Sequence, residues 1–180
     1  MKTVTIDIDG VLNNYPKCWL DFIYSECHEK FATIAEAKTK LGEEYKLVKD
    51  KYRTSGYKST LPVNPQAVTL INNLKSKGYK IIVATSRPFD KYPNLRDITF
   101  NWLKSNNFEF DVLESKNQTL IDKYNPVFHI DDELAHVMFY LENSIKVYLL
   151  KRADLTYNNC EKFETLKVIT SLDEVLVNID

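Results

Sequence analysis

Short apolar runs alternate with amphipathic helical patterns along most of this 180-residue chain. The run at residues 81–84 is continuously apolar, which is typical of a strand buried on both faces of a parallel sheet. The helix before it is delimited by Asn64 as an N-cap, Pro65 at the first helical position and Gly78 near its end. Strands that alternate with helices in this way predict an α/β protein, with a three-layer α/β/α structure built on a doubly wound parallel sheet.

One stretch interrupts this alternation. Strands are predicted at residues 3–8, 79–84, 108–113, 127–130, 145–150 and 166–169. Between the first two lie helical patterns at 17–31 and 34–52, followed by a loop at 53–61. We therefore expect residues 13–61 to form a small helical cap insertion, with residues 1–12 and 62–180 forming the core domain.

The first predicted strand ends in two carboxylates and a glycine. Asp7 and Asp9 lie two residues apart, so their side chains lean toward the same side of the strand, and Gly10 lets the backbone turn sharply. Two carboxylates in an apolar setting repel each other unless a cation or a shared proton intervenes. An ordinary acidic turn would show the same pattern, so the other strand ends must distinguish a site from a turn.

Polar side chains also follow the later strands. Right-handed crossovers bring the carboxyl ends of parallel strands to one edge, so one crevice is expected to collect Asp7, Asp9, Thr85, Lys116, Asp131 and Asp132. Carboxylate oxygens suit a hard cation, Mg²⁺ in particular, and hydroxyl and ammonium groups donate to phosphate oxygens. With the phosphate charge neutralised, one carboxylate can attack phosphorus while a second transfers protons.

Four short motifs resemble those of the haloacid dehalogenase-like superfamily of phosphohydrolases. Residues 7–12 (Asp-Ile-Asp-Gly-Val-Leu) are similar to its first motif, and residues 131–132 (Asp-Asp) to its acidic fourth motif. Thr85 matches the hydroxyl of the second motif, with Ser86 beside it, and both are expected to bind phosphate. Lys116 best matches the lysine of the third motif, and Lys123 is the alternative.

The resemblance also implies roles for the acids. Asp7 would be the nucleophile and Asp9 the general acid and base. Mg²⁺ would be held by Asp7, by the main-chain carbonyl of Asp9 and by Asp131 directly, with Asp132 counted in the same metal site.

The expected substrate is a small phosphorylated molecule. Residues 13–61 are placed like the superfamily's first-type cap, and residues 85–88, 99–103 and Asp111 resemble deoxyribonucleotidase-like and polynucleotide 3′-phosphatase members. A nucleotide is preferred because the insertion could close over a small ligand; a polynucleotide 3′-phosphate and a sugar phosphate are the alternatives. The net charge of −1, without a basic run, argues against an extended nucleic-acid surface.

Some patterns have two interpretations. Tyr15, Trp19 and Tyr57 could stack on a base or form the core of the insertion, and Arg87 could contact substrate or be an exposed structural residue. His129 is expected to be buried and hydrogen bonded. Signalling receiver domains and a catalytically silent phosphoryl-binding scaffold are the non-enzymatic alternatives. The motif order disfavours a receiver, and the intact acidic pair disfavours a silent scaffold.

The number and spacing of the cysteines indicate the redox state of the cellular compartment. Three cysteines, an odd number with no CxxC pair, favour a reducing, cytoplasmic environment. The chain opens on a charged, β-forming stretch and carries no apolar run of membrane length, so neither a secretory signal nor a membrane partner is expected. The oligomeric state is not indicated.

Overall fold

A computed structural model describes residues 1–158 and 160–179. Its six strands are all parallel: β1 Thr3–Ile6, β2 Lys80–Thr85, β3 Val112–Ser115, β4 Phe128–Asp131, β5 Lys146–Leu150 and β6 Leu166–Ile169. The α-helices are α1 Lys17–Cys27, α2 Ile34–Leu41, α3 Glu44–Thr54, α4 Pro65–Ser76, α5 Asn94–Ser105, α6 Gln118–Tyr124, α7 Leu134–Glu142 and α8 Asp173–Val177. The predicted parallel α/β fold is confirmed.

The strand order places the site. The sheet runs β3-β2-β1-β4-β5-β6, so the chain builds outward from β1 on one side and then crosses to β4 on the other. Ligands of open α/β sheets bind outside the carboxyl ends of the strands where the order reverses. Here that point lies between β1 and β4, which pair through Ile6 and Ile130.

Two apolar clusters cover the two faces of the sheet. Side chains alternate between the faces along each strand. In β2, Ile81 and Val83 pack with α4, α5 and α8, whereas Ile82 and Ala84 pack with α6 and α7. The result is the three-layer arrangement that the sequence predicts.

Residues 13–61, here called the inserted segment, stand between β1 and α4 and contain α1, α2, α3 and a 3₁₀ turn at Tyr57–Thr60. The single helical stretch expected at 34–52 is wrong, because Gly42, with φ +53°, breaks it into α2 and α3. The segment packs around Trp19, whose Nε1 donates to Tyr45 Oη at 3.0 Å. These aromatic rings belong to the same apolar cluster as β1.

Two other boundaries differ from the sequence expectation. The third strand lies at Val112–Ser115 rather than 108–113, because Phe108 and Phe110 pack against Trp102 and Phe100 of α5. The first predicted helix, 17–31, ends at Cys27, where His28 takes a left-handed conformation with φ +59°.

In the part of the chain that the structure describes, no helix combines the length and apolar character needed to cross a membrane. Cys18, Cys27 and Cys160 are free thiols.

Candidate active site

The turn after β1 positions Asp7 and Asp9. The Asp7 N–H donates to the carbonyl of Ile130, which ties the residue to the neighbouring strand. Gly10 has φ +98°, and a Cβ there would lie only 1.9 Å from Asp132 Oδ2. A side chain at this position is therefore disfavoured both by the backbone conformation and by the close approach of the Asp132 carboxylate.

Three carboxylates meet at this edge. Asp7, Asp131 and Asp132 each place one oxygen within 4.8 Å of the others, and all three side chains are buried. The sequence prediction that the first and fourth motifs converge is confirmed. Buried carboxylates at this distance repel one another unless cations lie among them.

Lys116 is one such cation. Its Nζ lies 2.7 Å from Asp7 Oδ1 and 2.5 Å from Asp131 Oδ2. Lys116 stands just before Asn117, whose side chain caps α6. Lys123 instead lies 3.4 Å from Glu114 on the surface. The structure thus brings Lys116, and not Lys123, to the carboxylates.

The acids differ in proton affinity. Burial raises the pKa of Asp7 to about 7, with Lys116 opposing and Asp131 adding to the shift. Burial and the charges of Asp7 and Asp131 also raise the pKa of Asp132 well above its usual range. For Asp131, Lys116 and His129 outweigh burial and hold the pKa below its usual range. The site therefore binds protons readily when no other cation offsets its charge.

The two acids of the fourth motif have different partners. Asp131 Oδ2 accepts from Lys116 and from buried His129, and its Oδ1 accepts the N–H groups of Asp132 and Glu133. A carboxylate offers about four acceptor positions, so these bonds engage Asp131 fully. Of the two carboxylate oxygens of Asp132, only Oδ2 accepts a hydrogen bond from a described residue, namely from Arg152 at 2.8 Å. Asp132 therefore retains a carboxylate oxygen for another ligand.

His129 is buried and hydrogen bonded, as the sequence analysis expects. Its ring stacks on Tyr140 with centroids 3.8 Å apart, and its Nδ1 lies 2.9 Å from the Thr5 hydroxyl. The other ring nitrogen holds Asp131. His129 thus fixes the orientation of that carboxylate from behind.

Arg152 is a site residue that the motifs of the sequence do not predict. It follows β5, is 8% exposed, and forms ion pairs with Asp132 and Asp154. Its guanidinium also lies over the ring of Tyr15, 5.1 Å from the centroid. No local sequence pattern marks it, although its place after a strand of the same sheet brings it to the same edge.

Asp9 lies apart from the three clustered acids. Arg87 holds both of its oxygens, with Nε 3.0 Å from Oδ2 and Nη2 2.7 Å from Oδ1. Asn13 donates to Oδ1, and Lys58 Nζ lies 3.5 Å from Oδ2. Although burial opposes ionisation, Arg87 and Lys58 hold the pKa of Asp9 far below its usual range.

The interpretation of Arg87 as an exposed residue is wrong. The side chain is 5% exposed, and besides holding Asp9 it donates from Nη1 to Thr99 Oγ1 at 2.9 Å. Its N–H donates to the hydroxyl of Thr85, the last residue of β2. Ser86 between them is exposed. The turn after β2 therefore supplies both a hydroxyl pair and the partner of Asp9.

A cavity of about 660 Å³ opens over these residues, between the inserted segment and the strand ends. Ligand sites commonly have volumes of about 300–1,000 Å³. Asp7, Asp9, Thr85, Ser86 and Asp132 all line it. Tyr15 and Trp19 also line it, but Trp19 is only 1% exposed and belongs chiefly to the core of the segment. Tyr57 packs on Phe22 and Tyr52.

The fold resembles those of several solved structures. A predicted phosphatase from Clostridium acetobutylicum has a TM-score of 0.70 at 15% identity, covering 99% of each chain. A haloacid dehalogenase-like hydrolase from Bacteroides fragilis gives 0.68 at 12%, covering 97% of this chain and 99% of its own. A mutant CbbY from Rhodobacter sphaeroides, in complex with xylulose-(1,5)bisphosphate, gives 0.62 at 12%, covering 97% and 96%. No family model and no curated protein sequence matches. The chain has the haloacid dehalogenase-like fold.

Proposed function

We propose that the protein is a Mg²⁺-dependent phosphomonoester hydrolase that acts through a phosphoryl group carried on Asp7. The observation that supports this most directly is the buried set of Asp7, Asp131 and Asp132 around Lys116 at the reversal point of the sheet. The fold shared with a predicted phosphatase and with a haloacid dehalogenase-like hydrolase, both of low sequence identity, agrees with the proposal.

The residues present fit a hard cation. Three buried carboxylates lie together, two of them with raised pKa values, and Asp132 keeps an oxygen that no described residue engages. Asp7, Asp132 and the main-chain carbonyl of Asp9 would hold Mg²⁺, with Asp131 supporting them. Mg²⁺ would supply charge neutralisation of the phosphoryl oxygens.

In this proposal, Asp7 acts as the nucleophile. Its carboxylate lines the cavity, and Lys116 fixes one of its oxygens. Attack on phosphorus forms a bond between an Asp7 oxygen and phosphorus as the bond to the leaving oxygen breaks. Thr85 and Ser86 line the same cavity, where their hydroxyls can donate to phosphoryl oxygens.

Asp9 transfers protons. Arg87 and Lys58 keep Asp9 ionised, which is the state that a general base requires. The same pairing lowers its basicity, so Asp9 accepts a proton from the water that hydrolyses the phosphorylated Asp7 only when these ion pairs weaken in the substrate complex. Protonating the leaving oxygen first requires a proton on Asp9. Phosphate monoesters have a second pKa of about 6, so the substrate monoanion carries a proton that Asp9 can relay to the leaving oxygen once its pairing with Arg87 and Lys58 weakens.

The substrate that we propose first is a nucleotide, which the cavity volume and the cover provided by the inserted segment accommodate. A sugar phosphate is the second candidate, since two of the solved structures with this fold are a heptose 1,7-bisphosphate phosphatase from Burkholderia thailandensis and CbbY bound to a sugar bisphosphate. We also propose residues 13–61 as a cap and residues 1–12 and 62–180 as the core domain.

The expected result is hydrolysis of p-nitrophenyl phosphate that stops when EDTA removes the metal and returns when Mg²⁺ is added. A screen of adenosine 5′-monophosphate, fructose 6-phosphate and a 3′-phosphorylated oligonucleotide then compares kcat/KM among the substrate classes. The highest value on the mononucleotide would support the first candidate. No Mg²⁺-dependent turnover of any phosphomonoester would contradict the proposed function and favour a non-catalytic phosphoryl-binding domain.

Asp132→Asn is expected to weaken Mg²⁺ binding more than Asp131→Asn. Asp132 keeps an oxygen available, whereas Asp131 is engaged by four donors and would act on the metal from outside. Loss of such a supporting group typically costs about 10–100-fold in affinity, so we expect a larger loss for Asp132→Asn. Calorimetric titration with Mg²⁺ measures both. The reverse ranking would restore the sequence expectation that Asp131 is the direct ligand.

A further inference from the structure

The inserted segment lines the cavity with charge of one sign. It contains seven acidic and nine basic residues. Four of its charged side chains reach the cavity wall, and all four are basic: Lys38, Lys49, Arg53 and Lys58. None of its acids lines the cavity among the described residues. The acids of the wall come instead from the sheet edge, at the catalytic end.

These four cations fall into two groups. Lys58 belongs to the catalytic end, because its Nζ lies 3.5 Å from Asp9. The others come from α2 and α3. Lys38 and Lys49 place their Nζ atoms 5.9 and 5.8 Å from the centroid of the Tyr45 ring, so both flank one ring. Arg53 follows Lys49 by one helical turn.

Protein partners neutralise this second group only in part. Neither Lys38 nor Lys49 forms an ion pair with any residue that the structure describes. Arg53 lies 3.7 Å from Asp50 and over the ring of Tyr92. Glu133 and His136 of the core line the same cavity, and they lie 3.7 Å from each other.

The charges in this group lie close enough to affect one another. Burial, followed by the charges of Arg53 and Lys38, lowers the pKa of Lys49. The first turn of α2, at Ile34 and Ala35, borders the same cavity and adds the positive end of a helix dipole. Uncompensated like charges cost stability, and an anion that binds among them removes that cost.

We propose that Lys38, Lys49 and Arg53 form a second anion subsite, which holds a phosphoryl group at the far end of a substrate whose reacting phosphoryl group lies against Asp7. The inference rests on the proposed phosphohydrolase function and narrows its substrate to a small bisphosphate. A doubly charged phosphoryl group matches three cations of which one is partly neutralised. Nucleoside and sugar bisphosphates share this chemistry, and the experiment separates them.

The kinetic experiment uses matched pairs of substrates. Adenosine 3′,5′-bisphosphate is compared with adenosine 5′-monophosphate, and fructose 1,6-bisphosphate with fructose 6-phosphate. We expect kcat/KM to be at least about tenfold higher for the bisphosphate of one pair, since a hydrogen bond to a charged group contributes about that factor or more. The pair that shows the preference identifies the scaffold. Equal values within both pairs would overturn the proposal.

The double variant Lys38→Met/Lys49→Met is expected to lower kcat/KM for the preferred bisphosphate about 100-fold, about tenfold for each lost charge. Hydrolysis of p-nitrophenyl phosphate, which has no second anionic group, should stay within about twofold of the wild-type rate, as expected when only the far subsite is lost. Lys46→Met is the matched control, because Lys46 lies on α3 like Lys49, pairs with Glu43 and does not line the cavity. An equal loss on both substrates would contradict a second subsite.

A binding measurement separates this proposal from the proposed function. In an Asp7→Asn background, calorimetric titration with each bisphosphate and its monophosphate reports affinity without turnover. The subsite is supported if a bisphosphate binds more tightly than its monophosphate and if adding Lys38→Met/Lys49→Met to this background abolishes the difference. This result supports the subsite even if no hydrolysis is found. Turnover of p-nitrophenyl phosphate together with equal affinities for both members of each pair would overturn the subsite and leave the phosphohydrolase function standing.

Discussion

Asp7→Asn is expected to abolish turnover of every phosphomonoester while leaving the protein folded. The amide is not a competent nucleophile, and removal of the nucleophile from a covalent mechanism can cost about 10⁶-fold in kcat. No phosphorylated protein should form in this variant. The measurements are steady-state hydrolysis of p-nitrophenyl phosphate and mass spectrometry after rapid acid quench. Asp90→Asn, which changes an exposed acid on the surface, should keep full activity.

Stability provides the control for folding. The pKa of Asp7 is about 7 in the folded protein and near 3.8 when unfolded, so between these values the folded state holds a proton that the unfolded state has lost. Stability from this group therefore falls as pH rises from about 4 to 7, and the amide of Asp7→Asn carries no such penalty. In EDTA at about pH 8, above both pKa values, the variant should melt above the wild type, and the difference should shrink toward pH 4. If Asp7→Asn instead melts below the wild type at about pH 8, the loss of the contact between Asp7 and Lys116 costs more stability than removal of the buried charge restores.

The sequence predicts the sheet and the meeting of Asp7 with Asp131 because both follow from a rule of topology. Parallel strands with right-handed crossovers place their carboxyl ends on one edge, whatever the intervening helices do. Thr85 reaches that edge for the same reason. The third strand is misplaced because Phe108 and Phe110 are apolar for helix packing, and a short apolar run does not distinguish the two uses.

The partners of the acids could not be predicted in the same way. Lys58 reaches Asp9 from a 3₁₀ turn of the inserted segment, and Arg152 reaches Asp132 from beyond β5. Such ion pairs depend on how distant elements pack, and they leave no periodicity in the sequence. Arg87 did carry a usable signal, since a residue two positions after the end of a buried strand starts at the site edge. These cations influence which acids are ionised when no ligand is bound. They therefore affect which acid can accept a proton and which can donate one.

Asp9→Asn tests that division of roles. The amide cannot take a proton from water, and general acid–base catalysis contributes about 10²–10⁴-fold, so turnover should fall by that factor. In the wild type, Arg87 donates to both Asp9 oxygens. The amide of Asp9→Asn replaces one of these oxygens with an N–H₂ group, which cannot accept, so one of the two hydrogen bonds is lost. The substitution leaves the main-chain carbonyl at this position in place, so Mg²⁺ affinity should change little.

The affected step should depend on the leaving group. An aryl phosphate needs little acid assistance, so in Asp9→Asn the phosphoryl group should still reach Asp7 and then persist, because no base activates the water. The Asp7 peptide should carry the added phosphate after acid quench, in larger amount than in the wild type. An alkyl phosphate should lose both half-reactions and leave little phosphorylated protein. Full turnover in Asp9→Asn, or a phosphoryl group found on Asp131 or Asp132, would mean that the acids have other roles than those derived from their contacts.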